Sequence, residues 1–111
     1  MNIEKIKDLY NKELQNAKET FLSKSKRYNY AFFQNDIYTA FFDVKRKYER
    51  LRAILEGNYC KGELQNKSET IKVLIEESED LANYSIMFRV FLKLIKEENE
   101  LIKKDINERR S

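Results

Sequence analysis

Glu76, Glu77 and Asp80 are the residues of this sequence best spaced to do chemistry. On a helix, positions three and four apart share one turn. Glu76/Asp80 and Glu77/Asp80 stand in those relations. Carboxylates held so close repel each other unless a cation or basic side chains neutralise them. Mg²⁺ suits such a cluster, because it takes one or two carboxylates, waters and substrate phosphates. A metal held there polarises a phosphoryl oxygen and activates water. The same EESED run also reads as a solvated acidic helix start, where negative charge favours the helix dipole. Spacing alone leaves both readings open.

Other chemistries are excluded by what the 111 residues lack: the chain has no His, no Pro, no Trp, two Gly and one Cys. Without His, the usual general base and the commonest zinc and copper ligand are gone. A Ser–His or Cys–His nucleophile cannot be built. One Cys excludes an internal disulfide and a Cys-rich metal site. Cys60 has no His to activate it. Any metal must be a hard, oxygen-liganded ion such as Mg²⁺ or Mn²⁺. Turns draw on Gly, Pro, Asn and Asp, so an all-β fold is not expected. The expectation is an all-α antiparallel bundle of three to four helices with a long C-terminal helix, one domain over 1–111.

The apolar periodicity places three main helices. Helix 1 is expected at about 3–22, with Ile3, Ile6, Tyr10, Leu14, Ala17 and Phe21 on one stripe. A kink or turn follows at 23–29, with Asn29 suited to a left-handed position. Helix 2 is expected at about 30–55. Its core stripe runs from Phe33 through Ile37, Ala40, Phe41, Val44, Tyr48 and Leu51 to Leu55, with Asp36, Asp43, Lys47 and Arg50 along the edge. Gly57-Asn58 reads as a C-cap and 57–67 as a loop. Helix 3 is expected at about 68–107, with a break near 97–100 allowed. Its core face reads as Ile71, Leu74, Ile75, Ser78, Leu81, Ala82, Ser85 and Leu92. On the opposite side, Glu76, Asp80 and Asn83 lead into Met87, Phe91 and Leu94, a polar line that turns apolar. A merely solvated face would more often stay polar to its end. The tail residues Leu94, Ile95, Leu101, Ile102 and Ile106 need a partner, either helix 1 or a second subunit.

The net charge of +3, from 22 basic and 19 acidic residues, is too balanced for a protein living on a nucleic-acid backbone. Residues 24–52 are the exception, with eight Lys/Arg against three Asp/Glu and eight of the fourteen aromatics. Basic groups among aromatics can hold phosphates and stack bases. The plainer reading is a buried aromatic face beside a solvated basic one. The N-terminus alternates charge with Ile and Leu, so no signal peptide is expected. No apolar run approaches the ~20 residues of a membrane span. The expected location is cytoplasmic, and the Lys, Asn and Ile bias points to an AT-rich bacterial or phage genome.

Residues 76–87 (EESEDLANYSIM) resemble the D-x-x-x-D-L-A-N-Y-A-I-M signature of the nucleotide modification associated domain 1 family. These are small all-α proteins of phages and prophages. Their acidic helices resemble those of MazG-like nucleoside triphosphate pyrophosphohydrolases. Two further segments are similar in the same order. Lys24–Phe32 (KSKRYNYAF) resembles the family's K-x-x-D-Y-G-x-S-F, and Lys47–Leu51 (KYERL) resembles its D-K-x-x-R-I element. The chain departs from the pattern at Arg27, Asn29 and Arg46, and Asp43 stands where the family has Arg. The helix-3 half of the pattern is kept and the helix-2 half is altered.

The resemblance implies a nucleotide-binding protein with a Mg²⁺-dependent pyrophosphohydrolase reaction as its enzymatic form. Glu76, Glu77 and Asp80 would then hold the metal. Asp43 and Asp36 are the only acids on helix 2 that could complete the site. Lys47 and Arg50 would neutralise phosphate oxygens. Asn83 and Tyr84 would orient the substrate, and Tyr28 would stack the base. The expected partners are a nucleotide or small phosphorylated ligand and a second copy of the chain, as a dimer. The rival reading is a non-catalytic phage or prophage protein that binds a host or defence protein or a signalling nucleotide. The altered charges at Arg27, Asp43 and Arg46 favour that rival.

Overall fold

The computed structural model describes residues 2–24, 31–59 and 68–110, with Asn58 and Tyr59 described by their backbone. Among them there are helices and no strand. The fold is an all-α antiparallel bundle with a long C-terminal helix: α1 (Ile3–Ser23), α2 (Ile37–Tyr59) and α3 (Ser68–Arg110). Residues 31–34 add a short helical stretch before α2.

The first helix starts where the sequence offers a cap. The Asn2 side chain accepts from the amides of Glu4 (3.0 Å) and Lys5 (3.3 Å), satisfying two of the four donors that a helix start leaves open. It stops at Lys24, whose backbone is extended. The turn expected over 23–29 lies mostly outside the described residues, as do Tyr28 and Asn29.

The second helix differs from expectation at both ends. It begins at Ile37 rather than near residue 30, because Asp36 caps a new helix. Its Oδ1 accepts from the Thr39 amide at 2.9 Å and its Oδ2 from the Thr39 hydroxyl at 3.1 Å. These bonds hold the Asp36 carboxyl below the usual carboxylate range. Asp36 is thus a structural cap and not a spare metal ligand. At the other end the helix runs past Gly57 to Tyr59. Glycine near a helix end costs little, about 1 kcal/mol relative to Ala. The turn before it is tied by Arg52, whose Nε donates to Glu56 Oε1 at 2.8 Å and whose guanidinium also meets Glu49 at 3.5 Å. The rest of the expected loop, 60–67 with Cys60, lies outside the described residues.

The third helix is one rod of 43 residues. At 1.5 Å per residue that is about 64 Å, close to the molecule's 67 Å long axis. The break allowed near 97–100 does not occur. Nothing there forbids helical backbone, and Lys96–Glu100 (3.8 Å) and Asp105–Arg109 (3.3 Å) pair along the helix across and beyond it.

α2 and α3 pack antiparallel, since Phe41 meets Phe88 while Lys47 meets Asp80. The core is aromatic. Phe32, Ala40, Tyr84 and Met87 are buried, with Phe21, Phe33, Val44, Phe88 and Phe91 packed around them. Phe32 sits at the centre, its ring 5.4 Å from Phe33, 5.8 Å from Tyr84 and 6.2 Å from Phe91. Ala40 supplies the small side chain that lets the helix backbone approach these rings.

This core reverses the expected face of α3. Ile75 is 52% and Leu92 46% exposed. Ser78, Ala82 and Ser85 are exposed too, and only Ile71, Leu74 and Leu81 of the expected face are half-buried. The line that reads as polar in its first half is the buried one. The deciding factor is which face meets the aromatic cluster of residues 32–44. On α2 the core is likewise turned toward the polar edge: Lys47 is half-buried, while Phe41, Tyr48 and Leu55 stay exposed.

Candidate functional site

Because this line of α3 faces inward, Asp80, Asn83 and Tyr84 come to lie where the three helices meet, with the half-buried Glu77 one turn before Asp80. Glu77, Asp80 and Asn83 follow each other at three-residue steps, so they wind diagonally across the inner face. Asp80 is the pivot. Lys47 reaches it from α2, with Nζ 3.2 Å from Asp80 Oδ2. The lysine side chain is 12% exposed and the aspartate 45%. The ammonium is therefore largely withdrawn from water, and its partner keeps one side open to solvent.

Tyr84 is the floor of this cluster. Its ring is 5% exposed at the residue level and carries two ammonium groups nearby. Lys47 Nζ lies 5.6 Å and Lys24 Nζ 5.7 Å from the ring centroid. Cations are drawn to the face of an aromatic ring at such distances. Lys47 of α2 and Lys24, the residue just after α1, thus converge on one tyrosine, with Asp80 beside Lys47. Lys24 was not among the site residues expected from spacing. It does open the Lys24–Phe32 segment of the resemblance, so the signal was present in the sequence.

Two buried polar atoms here have no hydrogen-bond partner among the described residues: Glu77 Oε2 and Asn83 Nδ2. One is an acceptor and the other a donor. Buried polar atoms are paired in the great majority of cases, and an unpaired one costs about 1–3 kcal/mol. Asn83 is 4% exposed.

Asp80 and Asn83 also line a cleft of about 590 Å³ between α1 and α3. Across it stand Glu13, Thr20 and Ser23 of α1, with Glu79 on the α3 side. That volume is within the range of small-molecule sites. The cleft is rich in carboxylates, and Lys47 reaches it through its contact with Asp80. A bare polyanion would be repelled by most of this lining, whereas an anion carrying a divalent cation would not.

The remaining expected residues are not brought into the cluster. Glu76 is exposed on α3, and Arg50 is exposed on α2. Asp43 turns to its own helix, where Oδ1 lies 3.4 Å from Arg46 Nη2. Among the described residues, no group of three or more Asp, Glu, Cys or His side chains could hold a metal ion. The four-carboxylate set of Glu76, Glu77, Asp80 and Asp43 is thus not gathered. Two half-buried acids one turn apart remain on this side of α3, Glu77 and Asp80. Two carboxylates with water and phosphate oxygens suffice for Mg²⁺, so the hard-oxygen donor set fits that ion.

No helix among the described residues is long and apolar enough to cross a membrane. Comparison with known proteins finds no matching family model, no matching curated protein and no matching solved structure.

Proposed function

We propose that this chain is a nucleotide-binding helical protein of the phage type, taking its ligand as a divalent-metal complex at the junction of the three helices. The observation that carries the reading is the pair of unpartnered buried atoms, Glu77 Oε2 and Asn83 Nδ2, flanking Asp80. A metal-bound phosphate offers what both lack, a cation for the carboxylate and an acceptor oxygen for the amide. In this reading Glu77 and Asp80 hold the ion, and Lys47 and Lys24 neutralise phosphate oxygens. Asn83 orients the ligand from its buried position. A bound Mg²⁺ would supply charge neutralisation and polarisation at a phosphoryl oxygen. Lys47 has a second task, to neutralise Asp80 when no ligand is present.

Binding is tested by calorimetry with each nucleoside triphosphate and deoxynucleoside triphosphate, with and without Mg²⁺. Saturable heat that needs the metal and disappears in Asp80→Ala supports the reading. No heat with any nucleotide overturns it. Pyrophosphate release in the same mixtures separates the pyrophosphohydrolase form from binding alone.

The rival reading, a non-catalytic protein that binds a host or defence protein, is favoured by one observation. Large side chains such as Tyr38 (75% exposed) and Phe42 (62%) stand on the outer side of α2. It predicts capture of a protein partner that survives Asp80→Ala and is lost in Tyr38→Ser/Phe42→Ser.

A further inference from the structure

The chain exposes far more surface than its mass requires. A compact 13.4 kDa protein shows about 6,500 Å² to solvent, yet this chain shows 9505 Å². Its radius of gyration is 19.1 Å, where a compact domain of this length has about 13 Å. The excess is about 3,000 Å² by the same scaling, and two stripes of exposed apolar side chains contribute to it.

One is the tail of α3. The stripe that buries Tyr84, Met87, Phe88 and Phe91 continues along the helix as Ile95, Ile102 and Ile106, with Leu94 and Leu101 along one edge and Glu98 and Asp105 between them. It extends about 22 Å beyond Phe91. There Leu94 is 50%, Leu101 67%, Ile102 53% and Ile106 42% exposed. The other lies on α1, which has no buried residue. Its stripe leaves Ile3 66%, Ile6 47%, Tyr10 65% and Leu14 50% exposed. A helix end of this length without tertiary packing is marginal in water, and patches of this size mark an interaction surface.

We propose that a second copy of this chain covers both stripes, forming a two-fold dimer through the α3 tail and the N-terminal half of α1. The area argues for this occupant. A standard stable interface buries about 800 Å² per partner, and half of the excess on each copy already exceeds that. A two-fold contact presents the same patch from both copies, so each tail and each α1 is covered once by the other. The inference is independent of the nucleotide reading, since neither stripe includes a residue of the junction cluster.

Sedimentation of the full chain over a dilution series tests it. The expected result is a two-chain mass that falls to one chain on dilution. Leu101→Glu/Ile102→Glu and, separately, Ile6→Glu/Tyr10→Glu should each weaken self-association by about a hundredfold. Lys104→Ser, off the stripe, should leave it unchanged. Cooperative thermal unfolding of each variant shows that the core has formed, and the wild-type dilution series needs no variant at all. A one-chain mass at every concentration overturns the proposal and leaves the stripes to a different protein. Open-ended polymers, or a dimer indifferent to both double variants, overturn it as well.

Discussion

The two halves of α3 carry one continuous stripe to opposite ends. From residue 77 to 91 the stripe includes a carboxylate, an aspartate and an amide, and it faces the other helices. From 94 to 106 it carries Leu94, Ile95, Leu101, Ile102 and Ile106 with Glu98 and Asp105 among them, and it faces solvent. Hydrophobicity alone would assign the burial the other way round. What decides is the partner. The first half meets the aromatic residues of 32–44, which can bury a ring such as Tyr84 and carry a polar line alongside. The second half lies past the start of α2, where no described element of the same chain covers it. A polar group buried in one half and an apolar group exposed in the other are both departures from a self-sufficient monomer. The first underlies the proposed ligand site and the second the proposed dimer.

Substitutions can break this comparison at several strengths. The largest effect is expected at Met87, whose side chain is 2% exposed at the meeting of α2 and α3. Met87→Ala should cost about 2–5 kcal/mol of stability, read from urea unfolding. Leu101→Ala, in the other half, should cost under about 0.5 kcal/mol at dilutions where the chain is single. Equal losses at the two sites would mean that the tail is packed within its own chain.

Asp80→Ala comes next. It removes the carboxylate beside an ammonium that is 12% exposed. The half-open position of Asp80 moderates the cost, so a loss of about 1–2 kcal/mol is expected. Lys47→Met keeps the packing volume and leaves a carboxylate that water can still reach. It should therefore cost less than Asp80→Ala while weakening nucleotide binding as much.

Asn83→Leu sharpens the ligand side of the comparison. Removing an unpartnered buried amide should be neutral or stabilising, by up to about 1 kcal/mol. The same change should abolish nucleotide binding. A variant that is clearly destabilised and still binds would show that the amide is paired and structural.

The smallest effect concerns the cap of α2. Asp36→Ala should lower the thermal unfolding midpoint slightly near neutral pH, through loss of the cap. The Asp36 carboxyl titrates below its ordinary value in the folded chain. The charge part of its contribution is therefore present above the unfolded carboxylate range, about pH 4. It is lost as pH falls through the lower folded value. The gap between wild type and variant in thermal unfolding should narrow on acidification and stay constant from neutral to mildly alkaline pH.

The helical class was legible because composition leaves few alternatives: no Pro, two Gly and strong periodicity. The face of α3 was not. Periodicity reports that two faces differ, and it does not report which one meets a neighbour. Ile71, Leu74, Ile75 and Leu81 outweigh Glu76, Asp80 and Asn83 on any hydropathy count, yet the aromatic cluster packs against Tyr84, Met87, Phe88 and Phe91, which continue the side of Asp80 and Asn83. The start of α2 was missed for a local reason, since Asp36 with Thr39 three residues on is a capping pair that the apolar stripe runs straight through. Of the residues expected at the site from spacing and resemblance, Lys47 and Asp80 meet and Asn83 and Tyr84 are buried. Asp43 was misplaced because Arg46 on its own helix competes for it, and Lys24 was passed over because its position depends on where α1 ends.

The central claim is that the polar line between the helices is a ligand site and not an internal salt bridge. Calorimetric titration of nucleoside triphosphates into the wild type and Asn83→Leu, with and without Mg²⁺, tests it most directly. The account predicts saturable, Mg²⁺-dependent heat for at least one nucleotide in the wild type and none in Asn83→Leu. Absence of binding in the wild type, or equal binding by both proteins, would contradict it.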